Sequence, residues 1–140
     1  MAVKDTSLRT RLGPRRMALH AEAAAAVVGA SLAIRLLPFP RIVAVRAAPR
    51  TEGDADLALL RAVVRAWCRR VPWRALCFES ALALRRMLRR RGVDAILHYG
   101  MARDSELRAH VWLSVGGETV IGGEAEGYEE VAQFPPAGAR

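Results

Sequence analysis

The segment Cys77–Gly92 reads CFESALALRRMLRRRG and is the most informative stretch of the sequence. Apolar residues recur every three or four positions, which predicts a helix that ends at Gly92. Its buried stripe is predicted to hold Cys77, Ala81, Leu84 and Leu88. A cysteine in the first turn of a helix lies where backbone N–H groups and the helix dipole favour negative charge, so a thiolate forms more easily there. The segment therefore predicts a helix that begins at a potential nucleophile.

After Gly92 the apolar pattern changes to a period of two. This alternation predicts three strands, over residues 95–99, 109–115 and 118–121, with a polar loop over residues 101–108. Gly116-Gly117 is typical of a two-residue hairpin turn between the last two strands.

The hairpin turn also predicts a register. With Val115 opposite Glu118, counting outward pairs Trp112 with Ile121 and His110 with Gly123. On that register one face of the hairpin carries His110, Trp112, Ser114, Thr119, Ile121 and Gly123.

The residues before Cys77 are predicted to be helical. A helix over 15–37 buries a face that includes Leu19, Ala23, Ala26, Val27, Ala30 and Ile34, with His20, Ser31 and Arg35 on another face. A second helix follows Asp56, a good N-cap, and runs to about Arg69. Residues 1–14 are read as a basic flexible arm. Residues 15–140 are read as one α+β domain, helical over about 15–92 and an antiparallel sheet over about 93–140.

The composition bears on three classes of protein: nucleic-acid-binding, secreted and membrane proteins. The 140 residues carry a net charge of +8, and Lys4 is the only lysine. An arginine-for-lysine bias of this kind can come from genome composition, so it gives little support to a nucleic-acid partner. The two cysteines are too few for a secreted disulfide scaffold, which favours a cytoplasmic protein. Arg15-Arg16 before an alanine-rich run imitates an export signal, but His20 and Glu22 interrupt it, and no membrane association is expected.

Cys77 and His110 are the candidate catalytic pair. Thiol catalysis needs a thiolate, an imidazole within hydrogen-bond reach and usually a third group that orients the ring. The alternative is a buried cysteine and a core histidine with structural roles, because both are common. His98 is the second choice for the base. Cys68 lies inside a helix without a terminus to activate it and is read as core.

The sequence does not decide which group is the third member of the catalytic set, the one that orients His110. Glu124 or Glu126 could orient His110, although the strand alternation sends Glu124 to the wrong face unless Gly122-Gly123 form a bulge. A backbone carbonyl or a water molecule could do the same work. The cysteines and histidines have no zinc-binding spacing, so no metal or other cofactor is expected.

The order of short motifs resembles a known family, the lasso peptide B2 proteins. These are transglutaminase-like cysteine proteases, similar to the C-terminal domain of the microcin J25 processing protein. The motifs are Pro72-Trp73-Arg74-x-x-Cys77, Ala81-Leu82-Ala83-Leu84, Leu88-Arg89-Arg90-Arg91-Gly92-Val93, Gly100, Ala109-His110-Val111-Trp112 and Val120-Ile121-Gly122-Gly123.

The resemblance implies a transglutaminase-like, papain-like core with Cys77 as nucleophile and His110 as general base and acid. It implies cleavage of the leader from a ribosomally made precursor peptide. The family's usual third residue, an aspartate, falls near Gly122-Gly123 here, which is a departure from the pattern. Trp73 and Trp112, which flank the cysteine and the histidine in sequence, are the candidates for contact with substrate or partner.

The resemblance also implies partners. At this length the chain is expected to be the protease-only form of a split system, which depends on a separate winged-helix protein to recognise the leader. An ATP-dependent lasso cyclase is a further expected partner. Two other functions stay open: a catalytically silent scaffold of the same fold, and a basic module that binds nucleic acid.

Overall fold

The computed structural model describes residues 13–48, 56–73, 77–103, 106–123 and 127–137. Within these ranges four helices precede four strands. The helices are α1 (Pro14–Leu36), α2 (Phe39–Val43), α3 (Leu57–Arg70) and α4 (Cys77–Arg89). The strands are β1 (Ile96–Arg103), β2 (Leu107–Val115), β3 (Glu118–Ile121) and β4 (Glu129–Phe134). The predicted α+β class is confirmed. Most of the arm predicted over residues 1–14 lies outside the described residues.

The three long helices form one layer around an apolar core. α1 packs against α3 and α4, and Ala23, Val27 and Leu84 are fully buried. Asp56 caps α3 as predicted, because its carboxylate accepts a hydrogen bond from the Leu59 backbone N–H at 3.1 Å. By length and composition alone α1 could also cross a membrane, a test that the core helices of water-soluble proteins pass as well.

One prediction for α1 is wrong. Ser31, expected on a polar face, is buried. Its hydroxyl accepts a hydrogen bond from the Trp73 indole N–H at 2.9 Å. A buried hydroxyl needs such a partner, and only the tertiary contact with the segment before α4 supplies it.

The sheet is antiparallel, with the order β3-β2-β1-β4. β1 extends to Arg103 and β2 begins at Leu107, so the predicted loop over residues 101–108 is mostly strand. β4 was not predicted, because its sequence EEVAQF is polar and largely exposed at the edge of the sheet. α2 was not predicted either. Pro40 lies in its first turn, where the missing N–H of proline costs nothing.

The predicted register of the hairpin holds at the turn and fails beyond it. Val115 pairs with Glu118 as expected, but Leu113 pairs with Ile121 because of a bulge. Val120 and Ile121 are both buried, which strict alternation cannot achieve for adjacent residues. Ile121 therefore shares a face with Leu113 rather than with His110 and Trp112.

The two faces of the sheet differ in chemistry. Leu97 pairs with Leu113, and Tyr99 with Val111; these four belong to the core that the helices cover. The alternate pairs, His98 with Trp112 and Gly100 with His110, point the other way, because paired residues share a face. We call this second side the outer face.

Candidate active site

Cys77 is the first residue of α4 and is half-buried against the core. The next residue fixes the start of this helix. The Phe78 ring meets the Phe39 ring at 6.0 Å between centroids, and Phe39 also meets rings on the sheet: Tyr99 at 6.1 Å and Phe134 at 5.6 Å. This aromatic cluster joins the beginning of α4 to α2, β1 and β4.

Cys68 has different surroundings from Cys77. It lies near the end of α3 and is also half-buried. Burial, with a smaller effect from Glu79, raises the pKa of the Cys68 thiol to about 11. Cys68 is therefore a neutral thiol near pH 7, consistent with its reading as a packing residue.

His110 is held by a backbone carbonyl. Its Nε2 lies 3.0 Å from the carbonyl oxygen of Gly122. A carbonyl oxygen can only accept a hydrogen bond, so Nε2 carries the ring proton. Nδ1 then has a lone pair that can take up a proton. This is one of the orienting groups that the sequence left open. Glu124 and Glu126 lie outside the described residues.

The structure does not join Cys77 to His110 by a hydrogen bond. Cys77, at the beginning of α4, is partly buried against the apolar core, and His110 lies on β2 opposite Gly100. The hydrogen bond of His110 goes to Gly122 instead. In enzymes, hydrogen bonds between catalytic groups are often long or poorly aligned until substrate binds.

His98 has the better-defined network of the two sheet histidines. Its Nδ1 contacts a carboxylate oxygen of Glu130, and its Nε2 lies 2.6 Å from the Ser114 hydroxyl. Sequence reasoning named His98 as a second choice for the base but missed Glu130, because it missed β4. A bulge in β4 places Glu130 opposite Gly100, and Gln133 donates a hydrogen bond to the same carboxylate at 2.9 Å.

The two tryptophans proposed for contact with substrate or partner differ in burial, because Trp73 is only half-buried. Trp112 is buried on the outer face, with 8% of its surface exposed, and stacks on both histidines. Trp73 directs its indole N–H to Ser31 on α1. His20, also on α1, accepts a hydrogen bond from Trp67 at 3.1 Å, a packing role.

Two general properties of the described residues bear on chemistry. They contain no cluster of three or more histidine, cysteine, aspartate or glutamate side chains that could hold a metal ion. Among them, every buried side-chain nitrogen or oxygen has a hydrogen-bond partner.

Comparison with known proteins gives one match. Residues 24–134 match the family model of the transglutaminase-like superfamily. No curated protein and no solved structure matches the chain. The match covers both candidate catalytic residues and every element from the middle of α1 to the end of β4, and such a domain is compatible with a cysteine peptidase. The chain therefore belongs to the transglutaminase-like superfamily.

Proposed function

We propose that the chain is a cysteine peptidase that removes the leader from a ribosomally made precursor peptide, in the manner of the lasso peptide B2 proteins that it resembles. The observation that carries the proposal is Cys77 at the first position of α4, in a chain of the transglutaminase-like superfamily. A helix N-terminus favours the thiolate that nucleophilic catalysis needs.

The chemistry is acyl transfer in two steps. Nδ1 of His110 takes the proton of the Cys77 thiol, and the thiolate attacks the scissile carbonyl. The tetrahedral adduct collapses when the imidazolium gives that proton to the leaving amine, which leaves an acyl group on sulfur as a thioester. Water, deprotonated by the same imidazole, then attacks the thioester and releases the leader's new carboxylate and the free thiol.

This mechanism requires the thiol and the imidazole to approach each other when the peptide binds. The hydrogen bond of His110 determines which of its ring nitrogens can meet the thiol. Its Nε2–H is taken up by Gly122, so Nδ1 is the nitrogen available to the thiol. The carbonyl takes the role that an aspartate has in the family pattern, because it fixes which nitrogen carries the proton.

A second protein that presents the leader is part of the proposal. Support comes from exposed large apolar side chains on α1, the turn after it and the first residue of α2: Val28, Leu32, Leu36, Leu37 and Phe39. Contiguous exposed apolar surface is typical of contact with another protein. The recognition protein would raise the local concentration of a peptide that is costly to order by itself.

The test is a cleavage assay read by mass spectrometry. The chain is incubated with candidate precursor peptides from the neighbouring genes, alone and with a candidate recognition protein from the same genes, at equal enzyme concentration. We expect one cut that releases the intact leader, much faster with the recognition protein present. Equal rates in both would refute the split system, and no cut in either would refute the peptidase.

A second candidate function rests on one observation. Because no hydrogen bond joins Cys77 to His110, a silent scaffold that only holds its partners is the rival. It predicts binding of the recognition protein or the precursor with no cleavage at any enzyme concentration.

A further inference from the structure

Four rings lie side by side across the outer face, and we call them the ring row: His98, Trp112, His110 and Tyr128. The centroids of His98 and Trp112 are 5.3 Å apart, with the planes only 2° from parallel. Trp112 and His110 follow at 5.9 Å and 23°, and His110 and Tyr128 at 4.9 Å and 34°. The His110 imidazole is therefore confined on two sides by neighbouring rings.

Trp112 packs directly against the backbone at two glycines. A Cβ atom on Gly100 would come within 2.7 Å of the far edge of the indole, and one on Gly122 within 2.9 Å of the Trp112 Cβ. Real Cβ atoms essentially never approach so closely. Gly100 therefore leaves room for the indole ring and Gly122 for the Cβ of Trp112. The ring of His98 is stacked on the indole, so we expect His98 to hold Trp112 in its position along the row.

His98 is the fixed end of the row. Both of its ring nitrogens are engaged, Nδ1 with Glu130 and Nε2 with Ser114. The imidazole therefore cannot rotate about its Cβ–Cγ bond without losing both contacts. Glu130 in turn is held by Gln133. These contacts join β4 to β1 and β2, the two strands that carry His98, Trp112 and His110.

We propose that Glu130 and His98 position the His110 imidazole through Trp112. The inference rests on the proposed function, in which His110 transfers the proton. With His98 locked, the indole is held against His110, and the His110 ring stays with Nε2 toward Gly122 and Nδ1 free. Glu130, His98 and Trp112 are positioning residues: they act on the reaction only through the orientation and tautomer of His110.

The test uses a matched pair of variants on β4. Glu130→Gln removes the charge that locks His98, whereas Glu129→Gln makes the same change one residue away, on an exposed side chain outside the network. His98→Phe keeps a flat ring beside Trp112 but removes both hydrogen bonds, and it checks the result by a second route. Histidine ring ¹⁵N spectra of the full-length protein report the tautomer of His110 without any substrate.

We expect a single Nε2–H tautomer for His110 in the wild type and in Glu129→Gln. In Glu130→Gln and His98→Phe we expect a mixture of both tautomers. The kcat of peptide cleavage should fall roughly 10- to 100-fold in these two variants with little change in KM, the size of effect seen when groups that orient metal-bound histidines are removed. Unchanged His110 ring signals in both folded variants would overturn the inference.

The spectra separate this inference from the proposed function. If the wild type cleaves no peptide while Glu130→Gln still alters the His110 tautomer, the peptidase assignment fails and the positioning of the ring stands. If the wild type cleaves through His110 while the two variants leave its ring signals unchanged, the positioning fails and the peptidase stands.

Discussion

The two ends of α4 differ in role: the first carries the candidate nucleophile and the last carries side chains that stabilise the fold. Its first residue is Cys77, while its last turns carry arginines that hold other parts of the chain. Arg85 is buried and donates to the Val43 and Ile42 carbonyls at 2.9 and 2.8 Å. Arg91, just beyond the helix, makes two hydrogen bonds to Glu22. The comparison shows that much of the excess of arginine near α4 is structural, so the net charge alone is a poor guide to what this protein binds.

The largest expected effect concerns the first end of α4. Cys77→Ala and His110→Ala should each lower kcat for leader cleavage by about 10⁴-fold or more, because the nucleophile and its base act as one unit. Both variants should give the far-ultraviolet circular dichroism spectrum of the wild type.

Cys68→Ala is the matched control for the nucleophile. It removes the other thiol, which is half-buried as well, and should leave kcat within about twofold of the wild type at a modest loss of stability. If Cys68→Ala inactivates a folded protein while Cys77→Ala does not, the nucleophile has been assigned to the wrong cysteine.

The second expected effect concerns the other end of α4. Arg85→Met should lower the free energy of unfolding by about 2–4 kcal/mol, because two buried carbonyls at the end of α2 lose their donors. Burial lowers the pKa of Arg85 to about 10, so the guanidinium is still charged at neutral pH. Arg86→Met, next along the helix and exposed, should change stability by less than about 0.5 kcal/mol. Urea unfolding measures both, and equal losses would contradict a structural role specific to Arg85.

A smaller effect is expected for the ion pair between Glu22 and Arg91. The hydrogen bonds from Arg91 lower the pKa of Glu22 below its ordinary value of 4.5. Its contribution to stability is therefore full above pH 4.5 and is lost as the pH falls through the folded-state pKa. Glu22→Gln should cost about 1 kcal/mol at pH 7, and the difference from wild type should shrink in unfolding curves below pH 4. Glu118→Gln, on an exposed residue of β3, should show no such pH dependence.

The smallest effect is expected for Glu124, which the sequence offered as the orienting residue. Since the Gly122 carbonyl already holds Nε2 of His110, Glu124→Gln should change kcat by less than about threefold. A loss of orders of magnitude, the size expected when a triad carboxylate is removed, would show that the carbonyl is not sufficient.

The sequence predicted the parts of this molecule that depend on local pattern. The helix beginning at Cys77, the cap at Asp56 and the turn at Gly116-Gly117 each follow from neighbours within a few residues. The features that were predicted wrongly or not at all depend on contacts between distant segments. The bulge at Val120 arises because two adjacent apolar residues are both buried, and α2 and β4 are stabilised by packing and edge pairing rather than by their own sequence.

In the candidate site, too, the residues marked by local pattern were predicted and those that depend on distant contacts were not. Cys77 and His110 could be chosen from helix position and motif, and the structure places them without joining them. The partner of His98 could not be chosen, because Glu130 reaches the outer face only through an irregular register in a strand that the sequence did not predict. A polar pair at an edge strand leaves no periodic signal that separates it from ordinary surface residues.

Alkylation by iodoacetamide shows whether Cys77 is an activated nucleophile. The native protein is treated near pH 7, and the modification of each cysteine is followed by peptide mass spectrometry, with Cys68 as the internal reference. We expect rapid modification of Cys77, slowed in His110→Ala, while Cys68 stays unmodified because its pKa is about 11. Modification of Cys77 as slow as that of Cys68, or independent of His110, would contradict this expectation.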